Sequence, residues 1–220
     1  MSLEIDPALY SSYEIDLDQG KESWLKVEHL PDDLKSYSKD KFNEMFNLHP
    51  EKRGNVLVFN KDTTSPAWEE IECHRWCKSY FNTPKFDNTV MKSYMFNGNN
   101  NDNINEPLPE IFMPLYQYMQ AQDSRYNQVI VNWYNSDDFI PLHSDCEAHM
   151  VKDHTIAIIN LGDEREFNLV SNSDQCLYDQ VTVLLKHGTI VCMGGNLQHL
   201  YKHGIPQGNN QRIGISFRQF

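Results

Sequence analysis

Seven short β-rich segments follow one another between Gln128 and Phe217 with no long helix among them, and this limits the possible folds more than any other feature of the chain. They read as Gln128–Tyr134, Ile140–Asp145, Thr155–Leu161, Glu166–Ser171, Gln180–Leu185, Thr189–Met193 and Arg212–Phe217, with Gly-, Asn- or Asp-bearing turns between them. Parallel neighbours would each need a crossover of about a dozen residues or more, usually helical, so a βαβ fold is excluded. The expected class is mainly β with flanking helices (α+β), built on an antiparallel sandwich, barrel or jelly roll. With 220 residues the chain is long enough for a sizeable buried centre.

Upstream the texture changes. Asn55 to Phe59 is β-rich, and Pro66 opens a stretch that reads as helical to Tyr80 and stops before Pro84. Asn97 to Asn105 is a polar loop. Leu108, Ile111, Phe112, Leu115, Tyr118 and Met119 recur at helical spacing and predict a helix through Gln120. The first residues mix acids with scattered apolar positions such as Tyr13, Leu17 and Trp24, as an arm packed on a core would. The expected organisation is an N-terminal arm over 1–53 and a main domain over 54–220, its β core from about 127 to 220.

Charge narrows the partners. Asp and Glu number 31 against 19 Lys and Arg, a formal charge of −12, which opposes a generic nucleic-acid coat or a binder of anionic membranes. The acidity is uneven: −6 over residues 1–50, +1 over 51–100, −7 over 101–150 and 0 over 151–220. An odd number of cysteines, five, argues against a secreted disulfide framework. No run approaches the ~18 apolar residues of a membrane span, and the start MSLEIDPALY has no basic segment leading into an apolar one. An intracellular protein, cytoplasmic or nuclear, without a membrane partner is expected.

Chemistry concentrates in three places. His143-Ser144-Asp145 puts an imidazole and a carboxylate two residues apart, on one side of a strand, where both could bind one ion. His199 and His203 are candidates for a third ligand. Two histidines and a carboxylate on one face of an ion leave three positions open, the ligand set of non-haem Fe(II) oxygenases. The last strand alternates Ile213, Ile215 and Phe217 with Arg212, Gly214, Ser216 and Arg218, so two guanidiniums share the polar face. Six residues span about 20 Å, and two guanidinium forks leaning together would clamp a short dicarboxylic acid at both ends. Asn132 and Tyr134 share a face of an earlier strand and could bind the same acid.

Other patterns carry less. Cys73 and Cys77 flank His74 without a second pair at zinc spacing, and Asp137 and Asp138 read as a solvated turn. Neither a phosphate-cradling glycine motif nor a GxSxG elbow is present.

In combination and in this order, the residues resemble the AlkB family of Fe(II)- and 2-oxoglutarate-dependent dioxygenases. The likeness runs from about Met91 to Phe220: Asn132-x-Tyr134, His143-x-Asp145-x-Glu147, Ile156 to Gly162 with Arg165-Glu166-Phe167, His187 to Gly194, His203-Gly204-Ile205-Pro206, and Arg212 to Arg218. It implies a double-stranded β-helix, a cupin-like jelly roll, with Fe(II) held by His143, Asp145 and His203. It also implies that Arg212 and Tyr134 hold the distal carboxylate of 2-oxoglutarate, and that Arg218 and Asn132 hold the carboxylate beside the keto group. The implied reaction consumes O2, converts 2-oxoglutarate to succinate and CO2, and hydroxylates an alkyl group. On nitrogen, the product collapses to formaldehyde and the bare amine. The family commonly has Asn two residues after the first arginine; here it is Gly214, so a lowered affinity for 2-oxoglutarate is expected.

For the substrate the resemblance points to alkylated DNA or RNA bases. Glu147 stands where base-repair relatives place a carboxylate against the target base. A substrate lid is expected over about 85–106, where Tyr94 or Phe96 could stack on a flipped or single-stranded base. Lys92, with Arg75, Lys78 and Lys85, could meet a phosphate backbone. The lid lacks the Pro-Arg start of the duplex-repair members. The expected enzyme is therefore a monomer making short or single-stranded contact. A dioxygenase for a protein or small molecule, and a catalytically weakened binding protein, remain as other readings.

Overall fold

Apolar side chains alternate with polar ones along the strands, so each strand has two faces to satisfy, and the chain does this with two stacked sheets and a helical layer. The computed structural model describes residues 1–60, 67–81, 107–145 and 154–219. Strands β1 (Ser2–Ile5), β2 (Tyr13–Asp16) and β3 (Ser23–His29) lead to helices α1 (Asp32–Asp40) and α2 (Phe42–Phe46). Next come β4 (Asn55–Asn60), β5 (Ala67–Glu72), β6 (Trp76–Phe81) and helix α3 (Met113–Gln122). The C-terminal half runs through β7 (Gln128–Tyr134), β8 (Ile140–His143), β9 (Ile156–Gly162), β10 (Arg165–Ser171), β11 (Gln180–Leu185) and β12 (Thr189–Gly195). A four-residue α4 (Leu197–Leu200), β13 (Tyr201–Ile205) and β14 (Arg212–Arg218) complete it.

The larger sheet has the order β2-β3-β12-β9-β14-β7-β6 and the smaller β1-β11-β10-β13-β8, with β4 and β5 paired separately. This is the jelly-roll core. Among the described residues one departure from antiparallel pairing occurs: β1 lies parallel to β11. It requires no crossover helix, because the two strands come from distant parts of the chain. The first thirty residues thus supply strands to both sheets.

The core has two layers. Ile213, Ile215 and Phe217 of β14, with Val129, Val131 and Trp133 of β7, face the helices and meet Met45, Phe112, Leu115 and Met119. The Trp133 indole N–H donates to the Met45 carbonyl at 2.9 Å, so α2 is fixed by a hydrogen bond as well as by packing. Between the sheets, Phe167, Leu169, Val181, Val183, Val191 and Met193 fill one end. The other end, between β7, β8, β13 and β14, is polar and holds the site.

The seven expected strands all form, and Gln128–Tyr134 and Gln180–Leu185 keep their bounds. The helix expected through Gln120 forms as α3, entered by a 3-10 turn at Glu110–Phe112. The helix expected from Pro66 to Tyr80 does not. Ala67–Glu72 and Trp76–Phe81 are strands, broken at Cys73–Arg75, and β6 pairs with β7 at the edge of the larger sheet. Here pairing with a preformed sheet overrides the weak helical preference of a Glu- and Lys-bearing segment.

Asp138 was also expected to be solvated, yet it is buried. Its carboxylate accepts from the Asn135 N–H at 2.8 Å and from Arg53 at 2.7 Å, which folds the β7–β8 turn inward. Beneath that turn Arg165 is 2% exposed and donates to the carbonyls of Asp138 and Asn135, both at 2.6 Å, and of Asn210 at 3.0 Å and Pro206 at 3.3 Å. A single guanidinium thus ties the β7–β8 turn to the β13–β14 loop.

Candidate active site

Antiparallel pairing of β13 with β8 sets His203 directly opposite His143. A cross-strand pair brings side chains within contact, and the two imidazoles lie 4.3 Å apart between ring centres. β8 ends at His143 rather than at Asp145, so alternation along a strand does not by itself place the carboxylate. Two pins do. The Asp145 N–H donates to Gln198 Oε1 of α4 at 2.9 Å, and the Ser144 hydroxyl donates to the Tyr201 carbonyl at 3.1 Å. Asp145 Oδ1 then stands 3.6 Å from His143 Nε2, and Oδ2 stands 3.7 Å from His203 Nε2. One ligand atom from each of the three residues lies within 4.8 Å of the other two.

Protonation suits a cation. His143 Nδ1 is 3.0 Å from the Pro141 carbonyl, which can only accept, so the proton sits on Nδ1 and the Nε2 lone pair points inward. Burial, then the neighbouring His143, pushes His203 down to about 3, so it stays neutral. Burial alone would raise the Asp145 carboxyl, but Arg218, with its Nη2 2.7 Å from Oδ1, holds it well below the usual carboxylate range. A ring nitrogen from each histidine and an ionised carboxylate form a donor set that fits Fe(II). His199, the other candidate ligand, is exposed on α4 and lies outside the group.

The close approach of β8 to β13 depends on Gly204. A Cβ there would sit 2.9 Å from the Ile140 carbonyl oxygen and 3.2 Å from the Leu142 nitrogen. Gly204→Ala is therefore expected to push apart the strands carrying the two histidines and to weaken metal affinity on the order of tenfold or more, the scale on which disturbed ligand support usually acts. Titration of the purified protein with Mn(II), followed by calorimetry, measures it.

The opposite wall is the polar face of β14 and β7. Arg212 pairs with Tyr134 and Gly214 with Asn132, so the side chains expected to share a pocket do share one, together with the three metal-facing residues. β14 is central, between β7 and β9, and is buried throughout, so its arginines are not solvated edge residues. Arg212 is 1% exposed, its guanidinium lies 4.6 Å from the centre of the Tyr134 ring, and its Nη1 has no partner among the described residues. Such a buried cation calls for an anion. The donor set fits a carboxylate entering beside Tyr134.

Three residues of the site were not foreseen. Arg75, expected at a phosphate backbone, is 5% exposed and faces the pocket, where its Nε donates to Asn132 Oδ1 at 2.7 Å. The bend at Cys73–Arg75 turns it inward, and no periodicity signals such a bend. Gln198 pins Asp145 from a helix too short to show a pattern. Asn160 is a fully buried amide on β9 that accepts from Arg212 Nε. It was visible as the one amide in an otherwise aliphatic strand, Ile156–Leu161. Glu147, Lys92, Tyr94 and Phe96 lie outside the described residues, as does Lys85.

Comparison with known proteins follows the same lines. The pattern of the 2OG-Fe(II) oxygenase superfamily matches residues 57–218. The chain is 27% identical over 136 residues to "DNA oxidative demethylase ALKBH2" of Arabidopsis thaliana, covering 51% of this chain and 43% of that protein. It is 28% identical over 120 residues to "Alpha-ketoglutarate-dependent dioxygenase alkB homolog 3" of Bos taurus, covering 50% and 42%. It thus spans less than half the length of these relatives. A solved structure titled "The structure of OsALKBH1" superposes with a TM-score of 0.51 at 16% identity, over 89% of this chain and 97% of that one, and so shares the fold. Members of the superfamily use Fe(II), 2-oxoglutarate and O2. With its convergent His143, Asp145 and His203, the chain belongs to the 2OG-Fe(II) oxygenase superfamily, and within it to the AlkB family of dioxygenases.

Proposed function

We propose that this chain removes alkyl groups from nucleic-acid bases, acting as a monomer inside the cell on short or single-stranded stretches of DNA or RNA. The observation that carries this reading is one shared pocket between the sheets, where the His143, Asp145 and His203 trio faces two buried arginines of one strand. In this reading His143, Asp145 and His203 hold Fe(II). Asn132 and Arg218 receive the carboxylate next to the keto group of 2-oxoglutarate, and Tyr134 and Arg212 receive the distal one.

When bound, the iron supplies oxidation of a C–H bond with 2-oxoglutarate and O2 as co-reactants. The chain's own residues do the positioning. Arg212 and Arg218 fix the two ends of a dianion by charge-assisted, fork-shaped hydrogen bonds. Arg218 also bonds Asp145, so the residue that orients the co-substrate orients a metal ligand too. The walls exclude water: Ile130, Ile158 and Phe167 line the pocket alongside the polar groups. His143, the most exposed of the trio, marks the mouth through which an alkyl group enters.

The named relatives support nucleic acid as substrate, since one is titled a DNA oxidative demethylase. With Arg75 turned into the pocket, fewer cations remain to follow a phosphate backbone, which fits brief contact with a strand better than a wrapped duplex. Incubation of the Fe(II)-loaded protein with 2-oxoglutarate and oligonucleotides carrying N1-methyladenine or N3-methylcytosine tests the proposal. Formaldehyde release with the mass loss of one methyl group is the expected result. Succinate formation from 2-oxoglutarate without either signal would overturn it.

A further inference from the structure

We propose that Asn160 and Gly214 act together as the positioning device for Arg212, and hence for the distal end of the co-substrate. The proposal rests on the reading that Arg212 meets a carboxylate of 2-oxoglutarate. Asn160 and Gly214 are direct partners in the β9–β14 register. The Asn160 amide nitrogen donates to the carbonyls of Leu185 at 3.1 Å, Asp163 at 3.2 Å and Lys186 at 3.3 Å. These belong to the end of β11 and the two adjoining turns, so the amide cannot rotate without breaking all three. Its oxygen is thereby fixed toward Arg212 and accepts from Nε.

That bond decides which edge of the guanidinium is free. With Nε held by Asn160, the Nη groups are presented to the pocket, and Nη1 is the one without a partner among the described residues. Gly214 supplies the space. A Cβ at this position would sit 2.9 Å from Arg212 Nη1, 3.1 Å from Nη2 and 3.3 Å from Cζ, so any side chain here displaces the fork. The glycine that was expected to lower the affinity for the co-substrate thus leaves room for a guanidinium clamped from the neighbouring strand. An asparagine is suited to this place because it carries no charge. A carboxylate at 160 would lose the three pinning donors and neutralise the charge the dianion needs.

The test uses the full chain loaded with Mn(II), which permits binding without turnover, and calorimetric titration with 2-oxoglutarate. Asn160→Ala and Gly214→Ala are each expected to raise the Kd about tenfold, the scale of one charge-assisted hydrogen bond. In an Arg212→Lys background, where Nε no longer exists as a fork donor, Asn160→Ala is expected to change Kd by less than about twofold, because the two residues act as a unit. Equal losses from Asn160→Ala with Arg and with Lys at 212 would show a general structural role and overturn the proposal. Wild-type affinity in both Asn160→Ala and Gly214→Ala would do the same. Gly214→Ala removes no hydrogen bond, so it answers the question even where Asn160→Ala fails to fold. Arg212→Lys binding 2-oxoglutarate as tightly as wild type would instead overturn the co-substrate reading itself, and the proposal with it.

Discussion

Asp145→Ala is expected to abolish both metal binding and turnover while leaving a protein that still folds, less stably. The carboxylate pairs with Arg218 and stands beside both imidazoles, so its loss takes from that guanidinium the anion it meets at 2.7 Å. Breaking a buried charge pair from one side costs roughly 3–5 kcal/mol, because the surviving cation remains in a low-dielectric site. In wild type, Mn(II) at about a hundred times its Kd should stabilise the fold by ~2.7 kcal/mol, roughly 5–10 °C for a domain of this size. Thermal scans with and without the metal check both numbers. The variant should melt lower than apo wild type and show no shift on adding Mn(II). A metal-dependent shift of normal size in Asp145→Ala would mean that the trio does not hold the ion.

Arg165→Met should destabilise the fold strongly, although Arg165 lies outside the metal trio. Methionine fills much of the volume but leaves the carbonyls of Asn135, Asp138, Pro206 and Asn210 without their shared donor. Each buried polar group left unpaired costs about 1–3 kcal/mol, and partial relaxation of the two loops brings the total to about 3–5 kcal/mol. For a chain of this length that is a fall in Tm of roughly 10 °C or more. The loops involved end β7 beside Tyr134 and begin β14 at Arg212, so affinity for 2-oxoglutarate should fall in the same variant. Urea unfolding followed by tryptophan fluorescence, with Trp133 in the helix-facing core as reporter, measures the loss. A change in unfolding free energy below about 1 kcal/mol would show that the loops hold each other without the guanidinium.

Much of the site could be read along the strands because alternation is a local property. Arg212 and Arg218 share a face six residues apart, and Asn132 and Tyr134 share one two residues apart, whatever the rest of the chain does. His143 and Asp145 were legible for a related reason, although Asp145 reaches its place through Gln198 rather than through strand geometry. The third ligand was ambiguous between His199 and His203 on residue types alone. The family resemblance chose His203, and the register of β13 against β8 sets it opposite His143, although β13 itself, Tyr-Lys-His-Gly-Ile, is too short and too polar to announce a strand.

What stayed hidden is what depends on long-range closure. Arg75 meets Asn132 across 57 positions of sequence, after a bend that breaks an apparent helix into two strands. Asp138 looks like any turn acid until Arg53 and the Asn135 amide enclose it. Such contacts are consequences of the fold, and pattern alone does not contain them.

The two walls of the pocket differ in how firmly they are held. β14, with its arginines, is hydrogen-bonded on both sides, by β7 and β9. β8, with His143, is the last strand of the smaller sheet and, among the described residues, is paired on one side only, with a register shift along its contact with β13. A lineage descended from this chain could therefore remodel its choice of target through β8 and the turns flanking it, while the strand that carries Arg212 and Arg218 stays as it is. Divergence would accumulate at the loosely tethered rim, and the twice-bonded strand would keep its sequence the longest.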